Sequence, residues 1–228
     1  MKPHPALHVR IALLFAVALT SPALAQSSEK PVPVREEPNH KVAFENDYIR
    51  MIDVHFPAGA TTLYHIHTIP SVVIELSNAT IVSQEWGAAP PAPRATKPGE
   101  TRYAPYDEKP LTHRVTNRGP GIFRVLDVEL LHATASADAA APISSPELKL
   151  EWEQKLARLY HVALAAEKHL ELKADGCAHL LVSVSGAVQT APNHELKAGE
   201  YLYFARSERI SINNRDHEDA TCVLLELR

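Results

Sequence analysis

Glycine is scarce in this chain, eight residues in 228, and none of them builds a phosphate loop or a G-x-G-x-x-G fingerprint. Nucleotide and dinucleotide chemistry therefore has no cradle here. There is no G-x-S-x-G elbow either, which removes the usual serine-hydrolase nucleophile. Cysteine is rarer still. Cys177 and Cys222 each lack a C-x-x-C partner, so a cysteine-held metal has no ligands, while one disulfide between them stays open. Positive charge is not in excess: the formal net charge is −4, which recommends no nucleic-acid partner.

A long apolar run is also missing. The longest, Ile11–Thr20, follows Lys2 and Arg10 and precedes Ser21-Pro-Ala-Leu-Ala25. That is the layout of a bacterial signal peptide cleaved after Ala25, and it falls short of the roughly 20 residues a membrane span needs. No cysteine follows the cleavage point to carry a lipid. The expectation is a periplasmic or secreted protein that leaves the membrane after cleavage. Cleavage removes two basic residues and no acid, so the formal charge moves from −4 to −6.

What is present is strand chemistry. Residues 26–40 are polar and proline-bearing and suit a flexible leader. Tyr48–Phe56, Ser71–Leu76, Thr80–Gln84 and Phe123–Leu131 are rich in β-branched and aromatic residues, as strands are. A small-residue stretch, Ala133–Pro146, then reads as a linker. Beyond it Lys155–Leu164, His169–Lys173, His179–Ser185, Tyr201–Phe204 and Cys222–Leu227 resume the strand pattern. Residues 147–161 fit a strand or a short helix. The organisation expected is a leader at 26–40, one β-domain at 41–132, a linker at 133–149 and a second β-domain at 150–228.

The halves also repeat each other. Lys97-Pro-Gly99-Glu100 is echoed by Lys197-Ala-Gly199-Glu200, and Ser71-Val-Val-Ile-Glu-Leu-Ser77-Asn78 by His179-Leu-Leu-Val-Ser-Val-Ser185-Gly186. Both halves end on an apolar strand. A tandem duplication explains the pattern.

Histidine is where the halves part. His65 and His67 are separated by one residue, so on a strand they share a face, and His113 is followed four residues on by Asn117. Gly59 stands six positions before His65, and Gly99 six before Pro105. This set resembles the two motifs of the cupin family, small antiparallel β-barrels in which an HxH pair, a glutamate and a third histidine hold a metal. Two positions depart from the motif. Ser71 occupies the glutamate place, and a three-residue insertion after Pro105 displaces His113. The resemblance implies an all-β chain of two tandem jelly-roll barrels, a bicupin, with a metal site in the first.

The resemblance assigns His65, His67 and His113 as ligands of one divalent transition metal (Fe, Zn, Mn, Cu or Ni), with positions left open. Without a carboxylate ligand the ion keeps its full charge, so a small anionic ligand is favoured. Three-histidine cupins of this kind include thiol and gentisate-type dioxygenases. The expected function is an oxygenase-type or isomerase-type reaction on a small anion, with a non-catalytic binding module as the alternative. The same three histidines, in a chain with 13, could also be hydrogen-bonded barrel lining.

Glu75 shares the strand parity of Ser71 and reads either as an inward group near the metal or as an outer-face residue. His40, His55, His132, His161, His169, His194 and His217 fall at no repeated spacing and read as surface or core. Tyr64 and Tyr103, near the motifs, read as aromatic packing, with ligand contact as the alternative. In the second half the sequence alignment places Lys173 and Asp175 at the HxH positions, Ile210 at the third histidine and His179 at the glutamate place. That half has lost the site and suits packing or dimerisation.

Overall fold

In this computed structural model residues 30–133, 141–190 and 194–228 are described. The expected signal peptide, residues 26–29 of the expected leader and residues 134–140 of the expected linker lie outside them. Ten strands precede the linker: β1 (Val32–Pro33), β2 (His40–Glu45), β3 (Ile49–Phe56), β4 (His65–His67), β5 (Ser71–Glu75), β6 (Ala79–Glu85), β7 (Arg94–Thr96), β8 (Thr101–Ala104), β9 (Leu111–Asn117) and β10 (Phe123–Leu130). Nine follow it: β11 (Leu148–Glu153), β12 (Ala157–Leu164), β13 (His169–Leu172), β14 (Ala178–Ser185), β15 (Ala187–Thr190), β16 (His194–Lys197), β17 (Tyr201–Phe204), β18 (Ile210–Asn213) and β19 (Ala220–Leu227). The undecided stretch at 147–161 is thus strand, not helix.

Each half makes two facing sheets. The first half has sheet orders β1-β4-β9-β6-β7 and β2-β3-β10-β5-β8, and the second has β13-β18-β15-β16 and β11-β12-β19-β14-β17. The orders are the same strand for strand, except that β1 has no counterpart. It comes from the segment expected to be a flexible leader, and it pairs in parallel with β4, Val32 opposite His65. Val34 and Glu37 are buried behind it. Short apolar residues between prolines gave that segment something to bury, which the polar average of residues 26–40 concealed.

The duplication reaches individual bonds. Lys97-Pro98-Gly99-Glu100 and its echo at 197–200 both close with an N–H of the glutamate donating to the lysine carbonyl. Gly99 and Gly199 stand at φ +85° and +83°, as the third position of a type II turn requires. Arg50 bridges Glu129 (2.6 Å) and Glu45 (3.0 Å), and Arg158 bridges Glu226 (2.9 Å) and Glu153 (3.1 Å) in the same strands. The Asn117 amide donates to the Gly121 carbonyl and the Asn214 amide to the Glu218 carbonyl, 2.8 Å each.

Three apolar layers follow from strand parity. Ile52, Val54, Phe56, Val73, Val115 and Phe123 fill the first barrel, and Tyr160, Leu181, Val188, Phe204, Ile212 and Leu224 fill the second. The alternate residues of the central strands face the other barrel: Ile49, Met51, Val72, Ile74, Leu126 and Val128 pack against Leu159, Leu180, Val182, Val223 and Leu225. Strands buried on both faces lose their alternation, which is why Val72-Val73-Ile74 and Val223-Leu224-Leu225 read as unbroken apolar runs. The contact is reciprocal. Phe44 of β2 meets Tyr203 of β17, and Trp152 of β11 meets Tyr103 of β8.

No disulfide forms: Cys177 and Cys222 are free and buried. Burial pushes the Cys177 thiol up to about 11 and the Cys222 thiol up to about 12. Thiolate is the reactive form. Neither cysteine is expected to react with a colorimetric thiol reagent near neutral pH in the folded protein, and two equivalents are expected to appear on denaturation. Rapid labelling of the native chain would contradict this burial.

Candidate metal centre

β4 and β9 build the centre between them. They pair antiparallel with His65 opposite His113, and side-chain alternation puts His67 on the same inner face as His65 while Ile66 turns away. All three rings are buried, and their ligand atoms lie within 4.8 Å of one another. His67 Nε2 and His113 Nε2 are 3.1 Å apart, close to the separation of two nitrogens each about 2 Å from a shared ion.

The other nitrogen of His65 and of His113 is hydrogen-bonded, and that of His67 faces a carboxylate without a hydrogen bond. His65 Nδ1 lies 2.9 Å from the Leu63 carbonyl, His113 Nδ1 2.8 Å from Ser83 Oγ, and His67 Nδ1 3.2 Å from Asp127 Oδ2. Such partners fix ring orientation and tautomer, leaving Nε2 lone pairs for a metal. Burial, then the neighbouring His40 and His67, pushes the His65 imidazole down to about 3. Burial and the other histidines hold His113 well below its usual range. Both rings are therefore neutral near pH 7, the form a metal takes.

Sequence reading missed Asp127 altogether. It lies on β10 opposite Val73 and Ile52, facing inward among apolar residues. Burial opposes its charge, but the His67 ring, and then Ser71, outweigh that and hold the carboxyl below its usual range. A buried carboxylate therefore stands behind His67, 3.2 Å from its Nδ1. Losing such a partner costs about 10–100-fold in metal affinity. Asp127→Asn is expected to weaken metal binding by about that factor, read by competition with a chromogenic chelator; an unchanged affinity would remove Asp127 from the site.

Glu75 faces inward, as the parity reading allowed. It is buried and accepts a hydrogen bond from Arg94 at 2.7 Å; burial raises its carboxyl against the pull of Arg94. Tyr106 was also missed. It sits on the insertion after Pro105, which folds into a turn closed by the Glu108 and Lys109 N–H groups on the Pro105 carbonyl, and its ring lies 4.7 Å from His67. Tyr64 and Tyr103 pack on Trp86 and Trp152, as expected of aromatic packing.

The histidines open on a cavity of about 70 Å³, room for a few waters or a very small molecule. It shares Val73, Glu75, Arg94 and Arg102 with an outer cleft of about 590 Å³ whose far wall, Glu151 and His161, belongs to the second half.

No family model matches the sequence, and no curated protein is similar to it. Solved structures do match in fold. The bacterial pirin YhhW from Escherichia coli, in complex with nickel(II), is 14% identical at TM-score 0.54, covering 82% of this chain and 90% of that one. Salicylate 1,2-dioxygenase from Pseudoaminobacter salicylatoxidans is 9% identical at 0.55, covering 79% and 71%. AerE from Microcystis aeruginosa is 10% identical at 0.51, covering 84% and 98%. The chain has the bicupin fold.

The bicupin's second barrel shows what its first has kept. Leu172 lies opposite Ile210 as His65 lies opposite His113, so Leu172, one residue before the Lys173 of the sequence alignment, takes the place of His65. Leu224 pairs with Tyr160 and Leu181 exactly where Asp127 pairs with Ile52 and Val73. These residues are buried in an apolar core. His179, Asp175 and Glu226 lie close enough to share an ion, but both Glu226 oxygens are engaged, by Arg158 and by the Tyr160 hydroxyl.

Proposed function

We propose that the first barrel holds one divalent transition metal through Nε2 of His65, His67 and His113 and uses its open face for an oxygenase-type or isomerase-type reaction on a small anion. One observation carries the reading: three buried imidazoles converge, with Nδ1 of His65 and His113 at hydrogen-bond distance from an oxygen and Nδ1 of His67 facing the Asp127 carboxylate at 3.2 Å. Similar folds include a nickel(II)-bound pirin and a salicylate dioxygenase, which supports metal use. The ion would supply a Lewis-acidic centre with free positions.

The chain's own residues select and handle the ligand. Three neutral imidazoles cancel none of the ion's charge, and Asp127 behind His67 offsets only part of it. Arg94 and Arg102, on the wall shared with the outer cleft, draw a carboxylate inward. Arg102 also donates to the Tyr106 hydroxyl at 3.2 Å, fixing the ring that roofs His67. Glu75, at the same wall, is placed to exchange a proton once an incoming anion competes for Arg94.

Metal analysis of the purified protein, followed by oxygen uptake and product screening with small carboxylic acids, tests the reading. About one equivalent of metal with turnover supports it. A metal-loaded protein that binds such acids without consuming or rearranging them would make the barrel a binding module. A protein that takes up no metal would overturn the enzyme reading and leave only a metal-free small-molecule-binding module.

A further inference from the structure

The segment ahead of the cupin motifs brings a fourth imidazole to the centre. His40, the first residue of β2, was read from sequence as an unremarkable surface or core histidine. It lies opposite Val54 in the inner face of its sheet, is 8% exposed and lines the histidine cavity. Its ring centroid is 4.5 Å from that of His65, the same separation that His113 shows from His65.

His40 also carries a mark seen at His65 and His113. Its Nδ1 is held by an oxygen, Glu37 Oε2 at 2.5 Å, which leaves Nε2 as the ring's free donor, as in His65 and His113. Glu37 is itself buried. Burial opposes its charge, yet the His40 ring and the Asn39 groups outweigh that and hold its carboxyl at about 2. The other Glu37 oxygen accepts the Leu63 N–H at 3.2 Å, and the Leu63 carbonyl faces His65 Nδ1. One carboxylate therefore ties His40 to the backbone that aims His65.

The second barrel supplies an independent comparison. Leu148 lies opposite Val162 as His40 lies opposite Val54. Where the ligands became Leu172 and Ile210 and Asp127 became Leu224, the His40 position became leucine too. The structural Arg-Glu-Glu clusters survived in both halves. His40 thus varies with the site and not with the scaffold.

We propose that His40, oriented by Glu37, is a fourth metal ligand, supplied from β2 in place of the carboxylate absent at Ser71. The inference rests on the three-histidine reading above. His40 lies outside the cluster of three mutually close ligand atoms, with its ring centroid 4.5 Å from that of His65, so ligation requires its ring to turn toward the cluster about the Glu37 contact. The centre then has four neutral nitrogens and keeps the ion's dipositive charge, which reinforces selection for an anion.

The test loads the full mature chain with Cu(II) alone and counts bound imidazoles by pulsed electron paramagnetic resonance. Four in the wild type are expected, falling to three in His40→Ala with about 10–100-fold weaker binding by chelator competition, and Glu37→Gln is expected to keep four with about 10-fold weaker binding. Three imidazoles in the wild type, a count that needs no variant to fold, would overturn the proposal. So would unchanged coordination and affinity in His40→Ala. His65→Ala separates the two levels: if it still binds Cu(II) at wild-type strength, the three-histidine reading itself fails, and the fourth ligand with it.

Discussion

His113→Ala is expected to empty the centre, taking bound metal from about one equivalent to under about a tenth, because it removes the ligand whose Nε2 stands 3.1 Å from that of His67 and leaves the β4 pair with only His40, which lies outside the close cluster of ligand atoms. Of the three clustered histidines His113 is the one on a second strand, so it makes that cluster a product of β4–β9 pairing and not of the HxH dipeptide alone. The substitution also leaves Ser83 Oγ without its ring partner, at the modest cost of one hydrogen bond, roughly 1 kcal/mol. Folding should survive while metal is lost. Elemental analysis beside a thermal melt checks both, and a variant that retains stoichiometric metal would show that His113 is barrel lining.

Leu126→Ala is expected to destabilise the whole chain by about 2–5 kcal/mol, lowering Tm by on the order of 10 °C. Leu126 is fully buried on the β10 face turned away from the histidine cluster, in the layer shared with Leu180 and Leu225 of the second half. The cavity left by truncation therefore weakens both barrels at once. A single cooperative transition at lower temperature, with metal stoichiometry unchanged in the folded protein, is the expected melt. Two separated transitions in the wild type would mean that the halves stand independently and that the shared layer is a weak contact.

These two variants divide the functions of one barrel. Odd-numbered positions of β10 face the cavity, among them Val125 and Asp127, and even-numbered positions, Leu126 and Val128, face the second barrel. The second half is thus more than a relic. It covers the outer face of the first barrel and supplies Glu151 and His161 to the outer cleft beside the histidine cavity.

Much of this was legible in the chain. The β-rich runs, the turns at Gly99 and Gly199, the repeat and the His65, His67 and His113 set follow from local spacing, because strand parity and turn chemistry are short-range. The lost second site was legible too, apart from a one-residue offset at Leu172. That offset comes from the loop after β13, where an ungapped alignment cannot see a changed length. Asp127, Tyr106 and the Glu37–His40 pair gave no such signal. Asp127 sits in the apolar strand Val125-Leu-Asp-Val, Tyr106 in an insertion that blurred a motif, and His40 at the end of a polar stretch that resembled a leader.

The sequence by itself determined the alternation of the strands, the duplicated plan and which half kept its histidines, since each of these depends on residues within a few positions of one another. Only the tertiary structure decided which distant carboxylates stand behind the imidazoles, that the leading segment closes over the first barrel, and that the two barrels share one apolar layer. Those are contacts across sheets, between residues as far apart in the chain as His67 and Asp127, and they exist only once strand order and register have been set.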